Sequence, residues 1–102
     1  MNYKIASKTC VSEDGTPHRF HYYLLTEIPP SPHFSCEIYG IHIEDDFGHT
    51  STVQAITTSP TKIDELMTLL IDHCVGPSTL EEIVHDWTIH EKSGADLVGT
   101  AG

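Results

Sequence analysis

The stretch "IYGIHIEDDFGHTSTVQAI", residues 38–56, has the pattern of two β-strands joined by a tight turn. Apolar and polar residues alternate on both sides of the turn, as expected for strands with one buried face. Asp45 suits the first position of a type I turn, and Gly48 suits the left-handed position that follows. The sequence therefore predicts a hairpin with a three-residue loop, in which Asp45 lies opposite His49.

This loop fixes the pairing of the two strands and the face on which each side chain lies. We expect one face to be apolar and to belong to the core, and the other to be largely polar. The pairs predicted for the apolar face are Tyr39–Ala55, Ile41–Val53 and Ile43–Ser51. Those predicted for the other face are Ile38–Ile56, His42–Thr52 and Glu44–Thr50.

A second hairpin is predicted upstream, around Asp14 and Gly15. This dipeptide is typical of a two-residue type I′ loop, because both central residues of that turn need a positive φ. The register that follows pairs Thr9 with Phe20, Ser7 with Tyr22 and Ile5 with Leu24. We expect Phe20, Tyr22, Leu24 and Ile5 to face the core.

The second half of the chain changes to helical spacing. Ser59 is the predicted N-cap of a first helix, with Pro60 at its first position and an end at Gly76. A second helix is predicted to open with a capping box of Ser78 and Glu81. Its apolar stripe consists of Leu80, Ile83, Val84 and Trp87.

These elements predict an α+β domain: a four-stranded, mainly antiparallel sheet of two β-hairpins, followed by two C-terminal helices packed on one face. The domain covers residues 1–92, and the glycine-rich residues 93–102 are expected to form a flexible C-terminal tail. The proline-rich "IPPSPH", residues 28–33, cannot extend a central strand, because proline lacks the backbone N–H of a ladder bond. The order of the strands is left open.

The chain is acidic, with five Lys and Arg against 15 Asp and Glu and a formal net charge of −10. Binding to nucleic acid or to an anionic membrane depends on clustered cations, so we expect neither. The start, "MNYKIASKTC", lacks the apolar core of a secretory signal, and no apolar run approaches the roughly 20 residues of a transmembrane helix. The three cysteines are expected to be free thiols in a reducing cytoplasm.

The eight histidines are the one unusual feature of the composition. His42 and Glu44 lie on one strand face about 6.6 Å apart, which makes them weak candidates for a metal site. Zinc generally needs three or four ligands, and the predicted cross-strand neighbours are Thr and Gln. The chain has no G-x-S-x-G, no H-E-x-x-H and no glycine-rich phosphate loop. We therefore expect no catalytic residue, no cofactor and no bound metal.

The ordered series "YYLL", "YGIHI", "ITTSPTKIDELMTLL" and "VGPSTLEEIVHDW" resembles a family of short bacterial proteins of unknown function. The resemblance covers residues 19 to 89 approximately, with a YGIxI strand and a PxxLxxxVxD helix. The residues that carry it are Tyr39, Gly40, Ile41, Pro77, Leu80, Val84 and Asp86. Members of the family often have Thr before the proline and Phe after the aspartate, where this chain has Gly76 and Trp87. The resemblance implies an intracellular bacterial protein and supplies no activity.

Two helices shield only one face of a four-stranded sheet, so the other face is expected to be open. Its predicted polar members are Lys8, His21, His42 and Glu44, and its predicted apolar members are Tyr23, Leu25, Ile38 and Ile56. An exposed apolar patch of a few hundred Å² usually marks an interaction site, and a homodimer uses one patch twice.

We therefore expect a small cytoplasmic, non-enzymatic interaction or regulatory module that binds a second copy of itself or another protein. The first alternative is a protein that binds a metal or a small ligand through histidines, and the second is a hydrolytic enzyme. A third possibility concerns the patch alone: the proline-rich loop or the C-terminal tail folds over it.

Overall fold

The computed structural model describes residues 1–28 and 37–101, with side chains described as far as His90. Its elements, in chain order, are the strands β1 (Asn2–Val11), β2 (Pro17–Glu27), β3 (Ile38–Asp45) and β4 (Thr50–Thr57), then the helices α1 (Pro60–Asp72) and α2 (Leu80–Ala101). The strands form one antiparallel sheet in the order β1-β2-β3-β4. The predicted α+β fold is confirmed, and the open question of strand order is answered by a meander. Most of the proline-rich segment, and Cys36, lie outside the described residues.

The helices pack on one face of the sheet and form the core with it. Tyr22 is fully buried there, and its hydroxyl donates a hydrogen bond of 2.9 Å to the backbone carbonyl of Val75. Burial raises the pKa of Tyr22 to about 12, so the hydroxyl keeps its proton and remains a donor. The other large side chains that are fully buried come from β3 and both helices: Ile41, Ile43, Leu66, Leu70 and Leu80.

Helix α1 begins where the sequence predicts and ends earlier. The Ser59 side chain accepts a hydrogen bond of 3.2 Å from the backbone N–H of Lys62, and Pro60 occupies the first turn. The helix ends at Asp72 with His73 as its cap, and the next residue, Cys74, has a left-handed φ of +52°. The predicted end at Gly76 is therefore wrong, because the chain already leaves the helical conformation at Cys74.

Helix α2 carries the predicted apolar stripe: Leu80 and Val84 are buried, and Ile83 and Trp87 pack against the core. Its backbone is helical to Ala101, beyond the predicted end of the helix near Lys92. Glycines inside a helix lower its stability by about 1 kcal/mol each without preventing it. The division into a domain over residues 1–92 and a flexible tail stays a prediction.

The hairpin of β3 and β4 keeps the predicted register near its turn and loses it at the far end. The backbone N–H of Asp45 donates to the carbonyl of His49 at 3.0 Å, and Gly48 has a φ of +90°, both as predicted. The four confirmed pairs are Ile41–Val53, His42–Thr52, Ile43–Ser51 and Glu44–Thr50. Beyond them the register shifts, so that Tyr39 pairs with Thr57 and Ala55 adopts a φ of +54°. Ile56 packs against the core, and its predicted place on the open face is wrong.

Gly40 permits a close approach of β3 and β4 at this irregularity. A Cβ at position 40 would lie 2.6 Å from the carbonyl oxygen of Val53 and 3.0 Å from the Cα of Gln54. Both are backbone atoms, which cannot rotate away as a side chain does. The YGIxI strand therefore needs glycine at its second position.

From the loop to Ala6 the hairpin of β1 and β2 is one residue away from the predicted register, and an irregularity between Lys4 and Ala6 then shifts the pairing by one residue more. Ser12 pairs with Thr16 through a backbone hydrogen bond of 3.0 Å, so the loop has three residues and Gly15 takes the left-handed φ of +85°. Ser7 lies opposite His21 and Lys8 opposite Phe20. A shift of one residue turns the side chains between the loop and Ala6 to the other face. Lys8 consequently faces the helices, and its predicted place on the open face is wrong.

The shifted register ties β1 to the end of α1. The Nζ of Lys8 donates hydrogen bonds of 2.9 Å to the carbonyl of Ile71 and 3.4 Å to that of Asp72, at the end of the helix that favours a cation. Cys10 also faces α1, where it forms a disulfide with Cys74, their Cα atoms 6.1 Å apart. The expectation of free thiols is wrong for this pair, because it depends on the odd number and wide spacing of the cysteines in the sequence, and the fold brings two distant ones together.

We expect Gly40→Ala to lower the free energy of unfolding by about 1–3 kcal/mol, the usual range for overpacking, since the added methyl group must displace the backbone of β4. Urea denaturation measures the change. Gly48→Asn is a matched control, because nothing lies within 4 Å of a Cβ at position 48 and asparagine tolerates a positive φ. Equal stability of Gly40→Ala and wild type would contradict the close approach.

Asp14 makes the stability of the first hairpin depend on pH. Its carboxylate accepts hydrogen bonds from the Ser12 hydroxyl and, at 2.9 Å, from the backbone N–H of Thr16, and these bonds lower its pKa to about 2. Because the pKa is lower in the folded chain than its ordinary value of 3.8, the stabilisation is complete above about pH 4 and is lost as the pH falls towards 2.

We therefore expect the difference in free energy of unfolding between wild type and Asp14→Asn to shrink between pH 4 and pH 2. Urea denaturation over a series of pH values measures it. Glu13→Gln, on the same loop, controls for the loss of one negative charge. A difference that does not change with pH would show that the carboxylate contributes nothing to folding.

Candidate functional site: the open sheet face

The candidate site is the open face, defined as the side of the sheet turned away from the helices. Side chains alternate along a strand, so the residues between the core positions of β2 and β3 lie on it. These residues are His21, Tyr23, Leu25, Ile38, Gly40, His42 and Glu44, with Ser7 of β1 and Thr52 of β4 beside them. Three of the four predicted interaction residues, Tyr23, Leu25 and Ile38, are therefore here, and each is half-buried.

His21 is held by hydrogen bonds on both ring nitrogens. Its Nε2 lies 2.8 Å from Oδ1 of Asp46, and its Nδ1 lies 2.7 Å from Oγ of Ser7. A carboxylate only accepts, so Nε2 carries the proton, and in the neutral ring Nδ1 accepts from the serine hydroxyl. The imidazole is thereby fixed in orientation, with most of its surface covered.

Tyr23, His42 and Glu44 form a connected group at the centre of the open face. The Nδ1 of His42 lies 2.6 Å from Oγ1 of Thr52, and its Nε2 lies 3.6 Å from Oε2 of Glu44. The rings of His42 and Tyr23 are tilted against each other with their centroids 5.6 Å apart. A hydrogen bond with Glu44, together with desolvation, raises the pKa of Tyr23. The tyrosine hydroxyl therefore stays neutral and serves as a donor.

A shallow hollow of about 150 Å³ lies beside this group, over Gly40. Leu25, Ile38, Gln54 and Ala55 are among the residues that line it. Gly40 itself is buried, because the backbone of β4 occupies the space that a side chain there would need. Pockets for small molecules usually measure about 300–1,000 Å³, so this hollow suits one side chain better than a metabolite.

His42 and Glu44, the weak metal candidates, are indeed neighbours on the open face. Their Nε2 and Oε2 atoms, 3.6 Å apart, supply two ligands of the three or four that zinc needs. Within residues 1–28 and 37–90, no group of three or more His, Cys, Asp and Glu side chains is arranged to hold a metal ion. The absence of a bound metal stays a prediction.

Ser7, His21 and Asp46 stand in the same order as the groups of a serine hydrolase, and the sequence reasoning missed this. The predicted register placed Ser7 opposite Tyr22, whereas the three-residue loop places it opposite His21. Acyl transfer also needs donors for the developing oxyanion and a groove for the substrate. Ser7 and His21 line neither the hollow over Gly40 nor the grooves beside α2, beside α1 and beside the connection between the two helices.

Comparison with known proteins identifies one family. The model of a family of unknown function (DUF6514) matches residues 1–90, which adds β1 and the first loop to the part covered by the resemblance in sequence. No curated protein and no solved structure matches the chain. In the described part of the chain, no helix has the length and apolarity needed to cross a membrane.

Proposed function

Since the chain belongs to the DUF6514 family, which has no assigned activity, we propose its function from the open face: a small non-enzymatic interaction module that forms a homodimer through this face. The observation that carries the proposal is the register of the two central strands. The rows across β2 and β3 are Leu25–Gly40, Tyr23–His42 and His21–Glu44. The members of each row complement each other: an apolar side chain and a hollow, two rings, and a histidine and a carboxylate.

A two-fold axis along the strands, between β2 and β3, makes these rows complementary between two copies. β2 of one protomer then lies over β3 of the other, so Leu25 enters the hollow over the partner's Gly40. In the same arrangement Tyr23 stacks on the partner's His42 and His21 faces the partner's Glu44. Stacked sheets commonly keep their strands aligned within about 30°, and this axis satisfies that condition.

The size and composition of the face also support a dimer. β3 has 8 residues and the sheet has four strands. At about 3.3 Å per residue along a strand and about 4.8 Å between neighbouring strands, one face of the sheet has an area of roughly 500 Å². Two faces together give roughly 1,000 Å², the lower limit for a specific interface. A tyrosine surrounded by polar groups fits a non-obligate interface better than a permanent one, which is more apolar.

The cellular setting that we propose is a bacterial cytoplasm. The family resemblance supports the bacterial origin. The low cysteine content supports the cytoplasm even though Cys10 and Cys74 are bonded, because small secreted domains that depend on disulfides contain more than about 8–10% cysteine, and this chain has three in 102 residues. The net charge of −10 argues against nucleic acid as the partner.

We expect light scattering to give the mass of a dimer at micromolar concentration, and Leu25→Asp and Ile38→Asp each to give a folded monomer. The reason is that each carboxylate would be buried without a partner at the two-fold interface. Phe47→Asp is the matched control, because it places the same charge at an exposed position in the β3–β4 turn, and it should remain a dimer. Circular dichroism checks that every variant is folded.

A wild-type chain that stays monomeric at high micromolar concentration would contradict the homodimer. Dissociation by Phe47→Asp, with Leu25→Asp still dimeric, would place the interface away from the open face. In either case the open face would be left to another protein or to a segment of this chain.

Hydrolysis is a second candidate, favoured by the hydrogen-bonded order of Ser7, His21 and Asp46. A fluorophosphonate probe, which labels activated serines, tests it directly. We expect no labelling, since Ser7 lines neither the hollow over Gly40 nor the grooves beside the helices. Labelling that is lost in Ser7→Ala and His21→Ala but kept in Ser12→Ala would establish a hydrolytic site instead of an interaction module.

A further inference from the structure

We propose that Cys10 and Cys74 form a reversible thiol–disulfide site that fastens the edge strand β1 to the end of α1. The two cysteines are 64 residues apart in sequence and are bonded in the structure. The proposal is independent of the homodimer, because it concerns the helix side of the sheet. It assigns a reversible redox modification to the contact between β1 and the end of α1.

β1 is attached to the helices at few points. Of its ten residues only Cys10 is buried, and Tyr3, Ile5 and Val11 are exposed. Within the described residues, the hydrophobic core cluster contains no side chain from β1. The disulfide and the hydrogen bonds from Lys8 to the last carbonyls of α1 therefore hold this strand against the helix layer. Breaking the disulfide leaves the core of β2, β3, β4 and the helices intact.

The disulfide, and not the backbone conformation, explains why residue 74 is a cysteine. Its φ of +52° lies in the left-handed region, where a helix usually ends on glycine because a Cβ is strained there. Cysteine has no conformational advantage at such a position, so its thiol must supply the reason for its presence. Cys74 is half-buried whereas Cys10 is buried, so Cys74 is the more accessible of the two residues to a soluble thiol.

Reduction follows ordinary thiol–disulfide exchange with a dithiol or with glutathione. A thiolate of the reductant attacks Sγ of Cys74, the bond between the two cysteines breaks, and Cys10 leaves as a thiolate that takes up a proton. A second thiolate then attacks the reductant's sulfur in the mixed disulfide, and Cys74 is released as a thiolate that is protonated in turn. One protein disulfide and two reductant thiols thus give two protein thiols and one reductant disulfide.

The test uses the full chain with Cys36→Ser, so that only the two cysteines of the site can react. The protein is equilibrated in buffers of graded reduced and oxidised glutathione, quenched with acid, alkylated and weighed by mass spectrometry. We expect a reversible transition from bonded to free thiols within this series, with the reduced protein still folded by circular dichroism. Hydrogen exchange should then increase in β1 and in the last turn of α1 and stay unchanged in β3 and β4.

Two outcomes would overturn the proposal. One is a bond that stays closed under native conditions in a large excess of dithiothreitol, and the other is reduction that unfolds the whole domain. Either result would make the disulfide a permanent structural link.

Variants test the effect of the backbone conformation separately. Cys10→Ser, in the Cys36→Ser chain, should reproduce the exchange pattern of the reduced protein. Cys74→Gly should melt about 4 °C or more above Cys74→Ser, because both lack the bond and only glycine fits the left-handed φ without strain. Equal melting temperatures would show that a side chain at position 74 causes no strain. The backbone conformation would then no longer support the disulfide as the reason for a cysteine at this position.

Discussion

The hydrogen bond from the Tyr22 hydroxyl to the Val75 carbonyl joins the middle of the sheet to the connection between the two helices. Both groups are buried, so leaving either one without its partner would lower the free energy of unfolding by about 1–3 kcal/mol. The bond fixes where the chain leaves α1 and enters α2, which places both helices on the same side of the sheet. The side of the sheet opposite these helices is the open face.

The chemistry of the open face depends on rings that are already held in place. His21 is fixed by a serine and an aspartate, and His42 by a threonine and a neighbouring tyrosine ring. Side chains that are ordered before binding lose less conformational entropy when a partner arrives. A face of this kind can bind a partner through a small number of contacts. It is less apolar than the sequence suggests, because Ile56 packs against the core instead.

The sequence predicts most of the fold because its local signals agree. The type I turn at Asp45, the N-cap at Ser59 and the apolar stripe of α2 each depend on residues close together in the chain. The first loop was predicted wrongly because Asp14–Gly15 suits both a two-residue and a three-residue loop, and hydrogen bonds from Ser12 and Thr16 decide between them. The features that define the candidate site are harder to predict because they depend on contacts between elements. The positive φ of Ala55 and Cys74 cannot be inferred from residue type, since neither alanine nor cysteine favours that conformation. In the part of β1 next to the loop, a single residue of loop length decides which side chains reach the open face and which reach α1.

The order of the strands has a consequence for the way the chain folds. Each strand pairs with the next one in sequence, and two of the three connections are tight turns, so little chain entropy is lost when the sheet closes. Proteins with such local contacts fold faster than those with distant pairings. The contact of β1 with the end of α1 spans 64 residues and requires a docked helix. Folding can therefore be nearly complete before the two sulfur atoms meet, and the speed of folding is set by the meander rather than by oxidation.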